Sequence, residues 1–331
     1  MTAILELTDV TKNFVKPLDA AAKLARYLGA NVTEEVVHAV DGVSLKIAKG
    51  EVVGLVGESG CGKSTLGRMV AGILEPTAGA IHYKGNLVSA MDKDAGHKTA
   101  LAIQMIFQDP FASLNPRMRV QDIIGEAPVR HGIVTKAGAA DYVAEVMRRV
   151  GLDPDYRRRY PHQFSGGQRQ RIGIARALAV NPEFLVCDEA IAALDVSIQA
   201  QVINLFMDLR EDLDLTYLFI SHDLSVVEHI SDRVVIMYLG RVVEMASTED
   251  IFASPNHPYT QALLNEVPRL DIRGLDYQPI SGEIPSPLDP PPGCHFHPRC
   301  PHATARCREE RPKLREIAPG RIAACHLNDS P

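Results

Sequence analysis

The chain has 331 residues, 46% of them hydrophobic and 23% charged, and a formal net charge of −6. This length allows one large domain with an appendage or two domains, and the acidic balance argues against nucleic-acid binding, which requires a basic face. No apolar run approaches the roughly 20 residues that span a bilayer, and the first residues lack the pattern of a signal peptide, so a cytoplasmic location is expected.

Two segments near the start of the chain alternate apolar and polar residues, at 3–9 and 36–48. This pattern predicts two strands at the start of a mixed sheet. Between them, apolar residues recur on one helical face from a proline at 17 to a glycine at 29. We therefore expect a helical insertion at about 17–35, most simply a surface excursion.

Strand-like and helix-like runs alternate from residue 51 to about 245, which predicts a largely parallel sheet covered by helices. The predicted strands are Val52–Val56, Phe184–Cys187, Tyr217–Ile220 and Val234–Met237. The predicted helices are Lys63–Ile73, Gly167–Ala179, Ser197–Asp212 and Leu224–Ile230. A helix-rich stretch at about 115–175 interrupts the alternation and is expected to form a helical subdomain.

A glycine-rich loop follows the first of these strands. Its residues are Gly57, Glu58, Ser59, Gly60, Cys61, Gly62, Lys63, Ser64 and Thr65. Glycines let backbone N–H groups approach phosphate oxygens, and the N-terminus of the next helix adds its dipole. Lys63 would contact the β- and γ-phosphates, and the Ser64 hydroxyl can bind Mg²⁺. The loop predicts a nucleoside triphosphate site, with the Cys61 thiolate favoured by the helix N-terminus.

An acidic pair, Asp188 and Glu189, follows the apolar run 184–187. Carboxylates at the carboxyl end of a buried strand lie where ligands bind in an α/β sheet. Asp188 would hold Mg²⁺, and Glu189 would orient and activate the attacking water. An Asp-Glu pair could also belong to a solvated loop, but the apolar run and the upstream glycine-rich loop favour a site.

A second glycine-rich element, Ser165-Gly166-Gly167-Gln168, begins a predicted helix. Considered alone, it is best explained as an ordinary helix cap. However, one γ-phosphate needs only one cradle. A second element therefore suggests phosphate bound by another subunit, in a sandwich of two chains.

Together these motifs resemble those of the ATP-binding subunits of ABC transporters. The resemblance implies a P-loop NTPase with a mixed α/β sheet core and a helical subdomain, spanning about 1–255, that binds ATP and Mg²⁺ and hydrolyses ATP. It also implies that Ser165–Gln168 contact the ATP of a second chain.

Four further positions take their roles from this resemblance. Gln108 matches the glutamine that contacts Mg²⁺ and the water, so Ser64, Gln108 and Asp188 form the implied Mg²⁺ set. Asp195 matches the D-loop, and His222 matches the residue that contacts the γ-phosphate. Phe14 matches the aromatic that stacks on adenine.

The stretch after Glu189 departs from the family pattern. Ala190 stands where proline is usual and Ala192 where serine is usual. Loss of the serine hydroxyl removes a possible hydrogen bond across the dimer, worth about 0.5–1.5 kcal/mol. Because Asp188, Glu189 and Asp195 are present, the resemblance still implies hydrolysis.

Segments 112–117, 195–201, 257–264 and 293–301 resemble the oligopeptide/dipeptide importer subfamily. This implies import of peptides or related small solutes, together with a second, paralogous ATPase subunit, two transmembrane permease subunits and an extracytoplasmic solute-binding protein. It also implies a peripheral location on the cytoplasmic face of the inner membrane. The alternatives are a soluble ABC ATPase that acts on nucleic acid or ribosomes, and a redox-sensing iron–sulfur ATPase.

The proline-rich region 256–331 holds four cysteines, Cys294, Cys300, Cys307 and Cys325. A segment with so few core residues gains most from a metal. Four thiolates suit zinc or an iron–sulfur cluster, and free thiols are a third possibility. The subfamily resemblance implies a [4Fe–4S] cluster.

Overall fold

A computed structural model describes residues 3–18, 27–28, 34–265 and 282–329. The helical insertion predicted for about 17–35 lies mainly outside these residues. None of the helices within the described ranges combines the length and the apolar character needed to cross a bilayer.

The described residues contain twelve strands in two sheets. The strands are β1 Ala3–Lys16, β2 Glu35–Ala48, β3 Val52–Val56, β4 Ala78–Tyr83, β5 Asn86–Leu87, β6 Ile103–Ile106, β7 Phe184–Asp188, β8 Thr216–Ile220, β9 Arg233–Tyr238, β10 Arg241–Ser247, β11 Arg315–Ala318 and β12 Arg321–Ala323. The α-helices are Lys63–Val70, Lys93–Ala102, Pro110–Ser113, Val120–Arg130, Ala139–Arg149, Gly166–Leu178, Val196–Leu213, Leu224–Ile230, Thr248–Ala253, Pro258–Asn265 and Ala305–Glu309.

The alternating strands and helices predicted between residues 51 and 245 are confirmed, with small changes at their ends. The helix that begins at Lys63 ends at Val70 and not at Ile73. Gly72 lies just beyond it with a φ of +70°. A glycine in the left-handed region terminates a helix readily because it lacks a Cβ.

The large sheet has the order β11-β12-β10-β9-β3-β8-β7-β6. The run from β9 to β6 is parallel, so the carboxyl ends of β3, β7 and β8 lie at one edge. These central strands are buried on both faces, which explains their unbroken apolar sequence. The fold class, an α/β P-loop domain with a mixed sheet core, is confirmed.

A smaller antiparallel sheet, β2-β1-β4-β5, covers one face of the large sheet. Its buried residues Leu5, Leu45 and Ile47 share an apolar cluster with Val53 and Leu55 of β3. On the opposite face, the helices Val120–Arg130, Ala139–Arg149 and Gly166–Leu178 contribute to a second cluster. The helix-rich stretch therefore packs directly onto the sheet.

The C-terminal region packs against the large sheet as well. β12 pairs with β10, and β11 extends the sheet beyond it. Phe296 is buried between Tyr238 of β9 and Tyr259 of the helix Pro258–Asn265. The predicted shortage of core residues in this region is thus offset by the apolar surface of the sheet.

We expect acid to destabilise this packing through His257. Burial lowers the pKa of His257 from 6.5 to about 4, and its Nδ1 accepts a hydrogen bond from the Tyr259 N–H. In the unfolded chain His257 becomes protonated below about pH 6.5, whereas in the folded chain it stays neutral until about pH 4. The stability of the folded state therefore falls as the pH drops from about 6.5 to about 4. Replacing His257 with Gln should flatten the dependence of Tm on pH between 7 and 5. An unchanged slope in the variant would contradict this assignment.

Candidate nucleotide-binding site

A cleft of about 350 Å³ lies at the carboxyl edge of β3 and β7. Residues of the glycine-rich loop line it, together with Gln108 and Glu189. Phe14 and Pro287 line the cleft as well. The structure thus brings predicted site residues from four distant parts of the sequence to one opening.

The glycine-rich loop depends on glycine at its final turn. Gly62 has a φ of +104°, and a Cβ built there would lie 2.1 Å from the Ala39 carbonyl oxygen. Gly60 also has a positive φ, but the space around it is open. The loop is therefore held tightly against β2 at Gly62 and is free at Gly60.

Lys63 lies inside the loop and is buried. Its Nζ donates hydrogen bonds to the carbonyl oxygens of Gly57, at 2.7 Å, and Glu58, at 3.0 Å. These contacts fix the ammonium group at the point around which the loop turns. The positive charge is thus in place for an anion that enters the cleft.

The structure contradicts the prediction that the thiolate of Cys61 is favoured. Its thiol is buried beneath the loop, and this burial raises its pKa, although Lys63 acts in the opposite direction. Desolvation of a thiolate outweighs the attraction of the nearby charge. Cys61 is therefore packed beneath the loop in an environment that favours the neutral thiol.

Ser64 and Asp188 meet across the cleft. The Ser64 hydroxyl donates to Asp188 Oδ1 at 2.7 Å, and Asp188 is nearly inaccessible to solvent. Burial raises the pKa of Asp188, and the hydrogen bond from Ser64 only partly opposes this. A hydroxyl and a desolvated carboxylate side by side are oxygen ligands of the kind that Mg²⁺ takes.

Glu189 lies at the centre of a polar cluster. Gln108 Nε2 donates to Glu189 Oε2 at 2.6 Å, and His222 Nδ1 lies 3.5 Å from Oε1. Glu189 has a φ of +47°, while its N–H donates to the Ile220 carbonyl oxygen. Such strained backbone in a non-glycine residue is concentrated at functional sites.

Phe14 and Pro287 both line the cleft, but only Phe14 was predicted from the sequence. Phe14 is half exposed on β1, and Lys12 Nζ lies 5.4 Å from its ring centre. Pro287 was not predicted at all, and its carbonyl oxygen accepts a hydrogen bond from the His38 N–H at 3.0 Å. No feature of the proline-rich composition distinguishes Pro287 from its neighbours.

Ser165–Gln168 do not line this cleft. Ser165 caps the helix Gly166–Leu178, because its Oγ accepts from the Gln168 N–H while the Gln168 side chain accepts from the Ser165 N–H. Gly167 is packed tightly, since a Cβ there would lie 2.5 Å from Ile198. Asp195 caps the next helix through its carbonyl oxygen. These residues are held by local hydrogen bonds and packing, and they do not line the cleft of their own chain.

Glu58 has two partners from the C-terminal part of the chain that were not predicted from the sequence. Arg299 Nη1 and Nη2 contact its carboxylate at 2.7 and 2.8 Å, and Tyr259 Oη accepts from its N–H at 2.9 Å. Arg299 is 241 positions away, so no local pattern could indicate the pairing.

The four cysteines of the C-terminal region are partly buried and have free thiols. The pKa of Cys325 is raised to about 11, chiefly by burial and also by the other three cysteines, while a backbone hydrogen bond at Leu327 acts in the opposite direction. Among the described residues, no group of three or more His, Cys, Asp or Glu side chains is arranged to hold a metal ion. The structure therefore does not support the metal site expected from the sequence.

Comparison with known proteins gives two family matches. The ABC transporter family matches residues 40–192, and the C-terminal region of oligopeptide/dipeptide transporters matches residues 243–307. The oligopeptide transport ATP-binding protein AppF of Bacillus subtilis is 52% identical over 98% of this chain and 97% of its own. The dipeptide transport ATP-binding protein DppF of Haemophilus influenzae is 47% identical over 93% of this chain and 96% of its own.

Solved structures give similar matches. CbiO1 from Clostridium perfringens, part of the ABC transporter complex cbiONQ, aligns with a TM-score of 0.63 and 26% identity over 77% of this chain and 92% of its own. The dimeric post-hydrolysis state of the ATP-binding cassette MJ0796, bound to ADP and Pi, aligns with a TM-score of 0.62 and 26% identity over 74% of this chain and 98% of its own.

Gly62 and Gly60 of the loop should respond differently to substitution. Gly62→Ala forces Cβ into the Ala39 carbonyl oxygen, so we expect the affinity for MgATP to fall at least about tenfold, the change that 1.4 kcal/mol produces. Gly60→Ala is the matched control, since its backbone strain is similar but its surroundings are open. Titration calorimetry measures both, and equal losses would contradict the steric argument.

Proposed function

Because the chain belongs to the ATP-binding proteins of ABC transporters, and to the branch with the oligopeptide/dipeptide transporter C-terminal region, we propose that it powers the import of peptides or related small solutes. The observation that carries the proposal is the convergence of Lys63, the Ser64–Asp188 pair and Glu189 at one cleft. The near full-length similarity to peptide-transport relatives supports the substrate class.

Lys63 and the glycine-rich loop would bind the triphosphate. The loop offers backbone N–H groups and the start of a helix, and the Lys63 ammonium lies among them. Phe14 at the mouth would pack on the base, with Pro287 lining the same opening. Glu189 lines the same cleft, so the γ-phosphate would lie near it.

The polar residues near Asp188 fit a Mg²⁺ ion. Ser64, Asp188 and Gln108 would hold it, since they supply a hydroxyl, a buried carboxylate and an amide oxygen. When bound, Mg²⁺ neutralises charge that develops on the β- and γ-phosphates. Burial raises the pKa of Asp188, and a bound cation would oppose this by favouring the charged form.

Glu189 would orient the attacking water and accept its proton. Gln108 holds one carboxylate oxygen, and His222 lies beside the other. This arrangement fixes the direction in which the remaining lone pairs point. The His222 side chain is largely exposed, so it would be available to contact the γ-phosphate.

Each cleft would be completed by Ser165–Gln168 of a second chain. The rigid cap of the helix Gly166–Leu178 lies outside the cleft of its own chain, which supports a role toward a partner. We infer an ATP-bound pair of cassettes, the second being a paralogue. This pair would bind two permease subunits at the cytoplasmic face of the inner membrane and serve an extracytoplasmic solute-binding protein.

The central test is Glu189→Gln. Loss of the base should lower phosphate release by at least about 100-fold, while MgATP binding and assembly with the permease subunits are kept and the cassettes stall as a closed dimer. Uptake of a labelled dipeptide in cells should fall in parallel. Glu183→Gln is the matched control, because Glu183 precedes the same strand and pairs with Lys84 on the surface. Near-normal phosphate release in the Glu189 variant would contradict the role of Glu189 as the base. Dipeptide uptake that does not depend on this chain would contradict the proposed substrate class.

The [4Fe–4S] cluster implied for the four cysteines stays a prediction, and zinc is its rival. The prediction rests on the subfamily resemblance and on the four partly buried thiols of this region, since four thiolates suit either group. We expect iron and sulfide, and no zinc, in anaerobically purified protein. Stoichiometric zinc without iron would contradict the cluster.

A further inference from the structure

Glu58 of the glycine-rich loop is held by the C-terminal half of the chain at two points. Its carboxylate accepts both Nη groups of Arg299, and its backbone N–H donates to the Tyr259 hydroxyl. Its carbonyl oxygen meanwhile accepts from Lys63. One loop residue therefore connects the C-terminal region directly to the lysine of the nucleotide cleft.

The ion pair between Arg299 and Glu58 is shielded from solvent. The Arg299 side chain is 4% exposed and that of Glu58 is 18% exposed. The rings of Tyr238 and Phe296 lie about the guanidinium, at 5.8 and 6.0 Å. A two-point contact in such surroundings fixes orientation, and removal of one partner leaves a charge buried without compensation.

Tyr259 provides a rigid second anchor. It is fully buried, and its ring packs against Tyr238 and Phe296 at centroid distances of 4.7 and 5.3 Å. Its hydroxyl has no freedom to follow the loop. Tyr259 lies within the segment matched by the oligopeptide/dipeptide C-terminal family, and so does Arg299.

We propose that Tyr259 and Arg299 are positioning residues that hold the glycine-rich loop at Glu58 and thereby set the affinity of the chain for MgATP. This inference rests on the proposed function, since it concerns the same cleft. It gives the C-terminal region a role in nucleotide binding, through residues that lie outside the cleft itself. Displacement of Glu58 would shift its carbonyl oxygen and with it the Lys63 ammonium.

The test uses the full chain and MgATP, with dissociation constants from titration calorimetry. Arg299→Gln and Glu58→Gln should each raise Kd about tenfold, the change that 1.4 kcal/mol produces. The double variant should also raise Kd about tenfold, and not a hundredfold, because both substitutions break the same contact. Tyr259→Phe, which removes only the hydroxyl, should raise Kd about fivefold.

Two further variants complete the design. Arg306→Gln is the matched control, since Arg306 pairs with Glu310 on the surface of the same region and should leave Kd unchanged. Arg299→Lys keeps the charge without the two-point contact and should give an intermediate Kd. If Arg299→Gln fails to fold, the Kd of Arg299→Lys for MgATP takes its place in the test.

Three results would overturn the inference. The first is a wild-type Kd in Arg299→Gln and Tyr259→Phe despite a lower Tm, which would mean a purely structural role. The second is additive effects in the double variant. A wild-type chain that does not bind MgATP would overturn the proposed function together with this inference, whereas the first two results leave the proposed function intact.

Discussion

The parallel pairing of β3 with β8, and of β8 with β7, is the constraint on which the site depends. It brings the carboxyl ends of three strands to one edge. Ser64 follows β3, Asp188 ends β7 and His222 follows β8. Ser64 and Asp188, which are far apart in the chain, therefore meet within hydrogen-bond distance, and His222 lies 3.5 Å from Glu189, the residue after Asp188.

This constraint explains why much of the site can be predicted from the sequence. Buried parallel strands must be apolar throughout, so β3, β7 and β8 are evident as short apolar runs. The polar residues that follow such runs are then expected at the same edge. The glycine-rich loop and the pair Asp188–Glu189 are both identified by this local logic.

The rest depends on long-range packing that no local pattern specifies. Arg299 meets Glu58 only because β9 carries Tyr238 and Phe296 packs beside it. Pro287 reaches the cleft through one backbone hydrogen bond to His38. Cys61 follows the local rule for a helix N-terminus, but burial outweighs it. In each case the outcome depends on burial or on contact with a distant segment of the chain, which the local sequence does not specify.

The cleft is complete on the side of the glycine-rich loop, while Ser165–Gln168 of the same chain lie outside it. Hydrolysis should therefore require two chains. The most direct test is the ATPase rate per chain, measured over two decades of protein concentration with and without the partner cassette. The rate per chain should rise with concentration or on addition of the partner. A substantial rate that stays constant down to the lowest concentration would contradict the account.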